Sequence, residues 1–273
     1  MSRFLFATAT ALAVAALTAP VTAADGGPAP GFAGGAGIAS RDGHVHYVAL
    51  SAGGGTVVAA IDRHGTVMRS NWLPGGFGIP QVANDGTVGG LTRDGSHLLL
   101  ASYSISPAPE FAIVTTKTLV VGKTIQLKGM WSFDALSPDG RTIYFVQYFL
   151  TTSSQRYLVR AYDVEHGRLY KRPVTARTET GKMTGWPVTR ATSADGKWAY
   201  TLYERSNGTA FVHALDTMRR AAVCIDLPRM GRTANWSSMS ISPDGKKLML
   251  GLLDSKGVVA AIDLRTFRVA LLN

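Results

Sequence analysis

The side chains in this sequence that could do chemistry are mostly acids and histidines, and the acids recur at a regular interval. Asp42, Asp94, Asp139, Asp195 and Asp244 each stand directly before a glycine, and Asp62, Asp163, Asp216 and Asp263 each close an apolar run 19 to 24 residues later. Convergent carboxylates do general acid–base work. A catalytic group, however, should break repeat symmetry, so acids that come once per copy are read as structural. His44 and His46 lie two apart, hence on one face of a strand, a spacing that a metal site would use. Yet His46 stands where other copies carry Leu98, Ile143, Ala199 and Leu248, which makes it a packed core histidine. His64, His97, His166 and His213 have no carboxylate at motif spacing. The linear signatures G-x-S-x-G, H-E-x-x-H and G-x-x-x-x-G-K-[ST] do not occur. No catalytic residue, metal ligand or cofactor is assigned.

Three tryptophans form the more specific set. Trp131, Trp186 and Trp236 precede their turn aspartates by 8, 9 and 8 residues. The segments leading into the last two are basic, with Arg177 and Lys182 before Trp186 and Arg229 and Arg232 before Trp236. Indoles beside cations can hold a sugar ring or an anionic ligand. The same indoles can equally wedge between neighbouring repeats. These seven residues are the candidate ligand-binding set.

What must position them is a repeated hairpin. In Ile241-Ser242-Pro243-Asp244-Gly245-Lys246-Lys247-Leu248-Met249-Leu250 a polar turn joins two apolar stretches that alternate with period two. Glycine tolerates positive φ and aspartate bonds its own backbone two residues on, so Asp-Gly is hairpin punctuation. The same frame recurs at Ser40–Gly43, Thr92–Gly95, Ser137–Gly140 and Ser193–Gly196, with successive glycines 45 to 56 residues apart. The copy around Thr115-Thr116-Lys117 lacks the second, apolar-Asp landmark. Units of that length with four short strands are the signature of propeller blades.

These turns, each followed by an apolar strand and then a strand ending in apolar-Asp, resemble the WD40-like and YVTN-type repeats of bacterial exported proteins. The resemblance covers roughly Ala36 to the end. It implies an all-β β-propeller of four-stranded antiparallel blades, five in number, with a degenerate sixth left open. The blades are expected from about Ala36 to Trp72, Gly78 to Lys128, Met130 to Arg177, Met183 to Arg229 and Asn235 to Asn273. In such a ring the three tryptophans open innermost strands, beside the channel. Nothing offers the last blade a strand from the N-terminus, so closure is expected from apolar contacts between the first and last blades. The family contains binding scaffolds, surface-layer proteins and some lactonases, so the fold does not choose among them.

Residues 1–23 read as a secretory signal peptide, with Arg3, a short apolar stretch and Val21-Thr22-Ala23 before the cleavage point. Residues 24–35 are a Gly/Pro-rich leader and residues 36–273 the propeller domain. The mature chain is therefore expected to be secreted or periplasmic, monomeric and without a membrane span. The lone Cys224 allows no intrachain disulfide and is read as a buried strand residue. Net charge is +10, and Arg156 to Arg190 holds eight basic against three acidic residues. Such a charge is read first as a solvated surface that aids solubility and second as a field that steers the protein toward anionic envelope polymers, glycans or lipid headgroups; a scaffold for a protein partner is the third reading. Nucleic acid is not expected, because the address is wrong and no recognition motif is present. The resulting reading is a non-catalytic binding module with its ligand at the channel mouth. The alternative is a lactonase- or esterase-like hydrolase with a metal in the channel.

Overall fold

The computed structural model describes residues 37–102, 108–150, 155–176, 183–230 and 235–272. The expected signal peptide and leader lie outside them. Among the described residues twenty strands form five antiparallel four-stranded sheets, each a meander in chain order, and the architecture is a β-propeller. Blade 1 holds β1 (Ile38–Ala39), β2 (Val45–Ala52), β3 (Gly55–Asp62) and β4 (Val67–Pro74). Blade 2 holds β5 (Phe77–Gly78), β6 (His97–Ser102), β7 (Glu110–Thr115) and β8 (Val120–Gln126). Blade 3 holds β9 (Met130–Leu136), β10 (Thr142–Leu150), β11 (Gln155–Asp163) and β12 (Arg168–Leu169). Blade 4 holds β13 (Trp186–Thr192), β14 (Trp198–Glu204), β15 (Ala210–Asp216) and β16 (Ala221–Asp226). Blade 5 holds β17 (Trp236–Ile241), β18 (Lys247–Leu252), β19 (Val258–Asp263) and β20 (Val269–Leu271).

The repeated turn between the first two strands of each blade is built the same way five times. In blade 5, Gly245 N–H donates to Ser242 O at 2.8 Å, and the Ser242 hydroxyl donates to Asp244 Oδ1 at 2.6 Å. Asp244 Oδ1 also accepts the Lys246 N–H, and Ser242 Oγ accepts the Lys247 N–H. The same hydroxyl–carboxylate bond joins Ser40 to Asp42, Thr92 to Asp94, Ser137 to Asp139 and Ser193 to Asp195. The Ser242 hydroxyl, then the Lys246 N–H, hold the Asp244 carboxyl below its usual pKa. The second landmark acts likewise at the outer turn: Asp62, Asp163, Asp216 and Asp263 accept backbone N–H groups of the turns they open. Both acid sets are thus committed to turns.

At the end of each outer turn one residue takes a left-handed conformation: Gly65, Leu119, Gly167, Arg220 and Phe267, with φ between 53° and 84°. For a residue with a Cβ this costs about 1–2 kcal/mol, so the side chain must gain something by packing. Leu119 is fully buried between blades 1 and 2. The Arg220 guanidinium lies 4.1 Å over the Tyr170 ring, joining blades 4 and 3. Phe267 meets Trp198 at 5.5 Å between ring centroids, joining blades 5 and 4. Blades 2, 4 and 5 thus use this position to fill the wedge toward the blade before them.

Four apolar clusters make the core, one at each junction from blades 1 and 2 through blades 4 and 5. Alternation along each strand sends one row of side chains to either neighbour. Leu98 and Leu100, for example, face blade 1, and Leu99 and Ala101 face blade 3. No apolar cluster joins blades 1 and 5 among the described residues, contrary to the closure expected from the sequence. The cross-strand row Leu50–Val57–Trp72 on the free face of blade 1 leaves Leu50 59% and Trp72 50% exposed. The cross-strand row of blade 5 that faces away from blade 4 is Ser240, Met249, Ala261 and Ala270, and it does not cover these side chains.

Candidate functional site: the turn-side end of the channel

The channel is bordered by the first strands β1, β5, β9, β13 and β17. In blade 2 that strand is interrupted. Phe77 and Gly78 pair with β6, the chain then leaves as a small hairpin over residues 79–90, and Leu91 rejoins opposite Leu98. Gln81 pairs with Val88 across the hairpin. Its tip reaches blade 4, where Asn84 N–H donates to Pro187 O at 3.0 Å and Asp85 N–H to Val188 O at 3.2 Å. Gly89 lets the returning arm press against blade 3, since a Cβ there would stand 2.8 Å from Phe133. Ile79, Val82 and Ala83 of its outgoing arm are buried. The hairpin therefore spans the channel and leaves a recess of about 430 Å3 on the side of the Asp-Gly turns.

The recess is lined by blades 1 to 4, and its mouth by the residue preceding each turn aspartate: Arg41, Arg93, Pro138 and Ala194. Blades 3, 4 and 5 have Pro138, Ala194 and Pro243 at that position, while blades 1 and 2 have arginine. Here the repeat symmetry is broken. Arg93 Nη1 donates across the mouth to Ala194 O. Arg41 is exposed and has no side-chain partner among the described residues.

Deeper in, Arg190 of β13 and Asp134 of β9 form an ion pair with side chains 6% and 3% exposed. Arg190 Nη2 donates to Asp134 Oδ1, Nη1 to Asp134 O, and Nε to Thr201 Oγ1 at 2.9 Å. The arginine heads a row across blade 4, in register with Thr201, His213 and Cys224. His213 is 2% exposed and its Nε2 has no hydrogen-bond partner, as is true of Asp134 Oδ2. Burial pushes the His213 pKa down to about 4, with Asp134 opposing and Arg190 adding to the shift. Nearby, Tyr148 Oη and Ser132 Oγ share a hydrogen bond of 2.9 Å, and burial raises the tyrosine to about 12. At neutral pH this row is an uncharged histidine beside one compensated ion pair, so the free positive charge of the recess sits at its mouth. Such an arrangement can bind an anion.

The four described members of the sequence-derived ligand set do not line the recess. Trp131 is 5% exposed between blades 2 and 3, its Nε1 donating to Lys128 O at 2.8 Å. Trp236 is 4% exposed between blades 4 and 5, so the two indoles belong to separate packing clusters. Trp186 is half-buried at the start of β13, opposite Glu204, next to the residues that receive the hairpin tip. Burial raises the Glu204 carboxyl, and a hydrogen bond from Trp186 works against it. Arg229 Nη2 donates to Asn207 O at 3.0 Å. Arg177, Lys182 and Arg232 lie outside the described residues. Cys224 is half-buried on β16, and His44 and His46 are an exposed turn residue and a half-buried strand residue. Among the described residues no three His, Cys, Asp or Glu side chains converge as a metal site, and no helix is long and apolar enough to cross a membrane. Arg41 and Arg93 had a signal in the sequence, the arginine before Asp-Gly in two copies of five. The Asp134–Arg190 pair, 56 residues apart, had none.

Among solved structures, hydrazine synthase from Kuenenia stuttgartiensis is similar over 94% of this chain and 69% of its own, with 16% identity and a TM-score of 0.53. The β-propeller domain of the Trilobed protease from Pyrococcus furiosus, described as having an open velcro topology, covers 85% of this chain at 10% identity and TM-score 0.52, with 67% of its own length matched. A 6-phosphogluconolactonase-like structure from Bacteroides uniformis matches 85% of this chain and 68% of its own at 14% identity and TM-score 0.50. At these identities the likeness is one of fold. No protein-family model and no curated protein matches the chain.

Proposed function

We propose that this chain is an exported, non-catalytic binding propeller that takes an anionic group, such as a sugar acid of an envelope glycan, at the turn-side mouth of its channel. The observation that carries the reading is the pair Arg41 and Arg93 at a recess closed behind by the hairpin, in positions where the other blades have Pro138, Ala194 and Pro243. A volume of about 430 Å3 suits one sugar unit or the end of a polymer. The Asp-Gly turns and apolar-Asp strand ends support relating the repeats to the WD40-like or YVTN-type propellers. The signal-like residues 1–23 and the net charge of +10 support an extracytoplasmic site of action.

Polygalacturonate, a linear anionic polysaccharide, is the probe. Titration calorimetry should show binding that weakens as salt is added, because exposed charges are screened. Arg41→Gln and Arg93→Gln should each weaken it several-fold and the double variant remove it, with melting temperatures unchanged. Equal binding by the double variant refutes the site. If binding is instead lost in Trp186→Ala and Arg229→Ala, the ligand lies at the opposite end of the channel.

A further inference from the structure

The left-handed position that fills the wedges in front of blades 2, 4 and 5 with Leu119, Arg220 and Phe267 is a glycine in blade 3. The wedge that Gly167 faces, between blades 2 and 3, is correspondingly open: a cavity of about 620 Å3. Its apolar floor includes Leu99, Ile113, Leu136 and Ile143. A Cβ at Gly167 would stand 3.7 Å from Lys123 Nζ, and Lys123 lines this cavity. A second subtraction enlarges it. The residue three past each turn aspartate is Trp198 in blade 4, stacked on Tyr200 and edge-on to Phe267, but in blade 2 it is His97, on the cavity wall. Where blades 4 and 5 close with two aromatic rings, blades 2 and 3 have an imidazole and no side chain.

We propose that this wedge binds a small aromatic acid, its ring taking the place that Phe267 and Trp198 fill between blades 4 and 5. The anionic substituent is received by Lys123. The Lys123 ammonium is half-buried at the cavity, directed at Val164 O, and pairs with no carboxylate among the described residues. Arg141 on the opposite wall adds a second positive charge. The wall acids Asp94 and Asp139 accept hydrogen bonds within their own turns, which leaves Glu165 as the remaining carboxylate of the rim. An aromatic body matches the floor, and a single negative head matches the lysine. The wedge adjoins the channel recess, sharing Gly90, Thr92 and Leu136 as wall, but Leu99, Ile113, Ile143 and Lys123 line the wedge alone, and the proposal does not depend on the reading of the recess.

The test uses 4-fluorophenylacetate with fluorine NMR on the full chain, and 4-fluorobenzyl alcohol as the uncharged analogue. The wild type should bind both, the acid more tightly. Gly167→Phe installs the residue that blade 5 already holds in this backbone conformation, and His97→Trp the residue of blade 4. Each should weaken both ligands at least tenfold. Lys123→Met should lower affinity for the acid several-fold and leave the alcohol unchanged, while the Arg41→Gln variant binds both as the wild type does. Should Gly167→Phe not fold, His97→Trp reads the same volume. No saturable binding to the wild type, or binding undiminished in a folded filled variant, overturns the proposal. Loss of binding in Arg41→Gln assigns the ligand to the channel and overturns it as well.

Discussion

Replacing Asp134 by alanine should be among the most damaging single changes in the propeller. The Arg190 side chain is 6% exposed, and Asp134 supplies both its counter-charge and, through the main chain, one of its acceptors. Without the carboxylate, only Asp134 O and Thr201 Oγ1 remain for a guanidinium that water reaches poorly. Removing one partner of a buried pair costs about 3–5 kcal/mol, because a desolvated charge is left unpaired. For a domain of this size that is a fall in melting temperature of roughly 6–20 °C. Replacing both, Asp134→Leu with Arg190→Met, should recover most of the loss, since an apolar pair of similar volume avoids the desolvation altogether. The assay is urea and thermal unfolding of Asp134→Ala, of Asp134→Leu and Arg190→Met singly, and of that double variant, at low and at roughly 1 M salt. Salt should change the deficit little, because a buried pair is weakly screened. A deficit of Asp134→Ala below about 1 kcal/mol would show the pair to be solvated, since that is the range of surface ion pairs. Strictly additive single and double variants would show that the two side chains do not depend on each other.

The buried, neutral His213 makes stability depend on pH in a defined window. Its pKa is about 4 folded against 6.5 unfolded, so between these values the unfolded chain binds the extra proton and stability falls as pH falls. The total is about 3 kcal/mol, and His213→Gln should flatten the slope of unfolding free energy between about pH 4 and 6.5; an unchanged slope would place the proton elsewhere. Among the indoles, Trp131→Ala and Trp236→Ala should each cost about 3–5 kcal/mol as buried large-to-small changes, and the half-buried Trp186→Ala clearly less. Three equal losses in urea melts would contradict the burial described.

The blades could be read from sequence because each is made of local events. A hydroxyl, a carboxylate and a glycine within four residues close the first turn, and the alternation on either side assigns the strands. Five units and the innermost position of β9, β13 and β17 follow from that spacing. Contacts set by the ring were not legible. Asn84-Asp85-Gly86 is hairpin punctuation inside the segment assigned to blade 2, but no local rule gives its destination at Pro187 and Val188. The tryptophans illustrate the same limit: spacing puts Trp131 and Trp236 on inner strands, and only the neighbouring blade determines that they are buried. The wedge cavity was half legible. Gly167 is visible in the sequence, whereas its significance depends on Leu119, Arg220 and Phe267 sharing its backbone conformation.

The hairpin over residues 79–90 also changes the mechanics of the ring. Among the described residues the first and last blades share no apolar cluster, and a ring so joined can spread at its joints like an arc. A tie from blade 2 to blade 4 acts as a chord across that arc. It fixes the angle at blade 3 by two backbone hydrogen bonds, so that opening there requires breaking them together. Blades 1 and 5, outside the chord, keep whatever freedom the arc has, so the turn-side recess has its walls from blades 2 to 4 braced and its Arg41 wall on the freer blade 1. A chain with the hairpin cut short would then keep five formed blades and lose the fixed shape of the space between them.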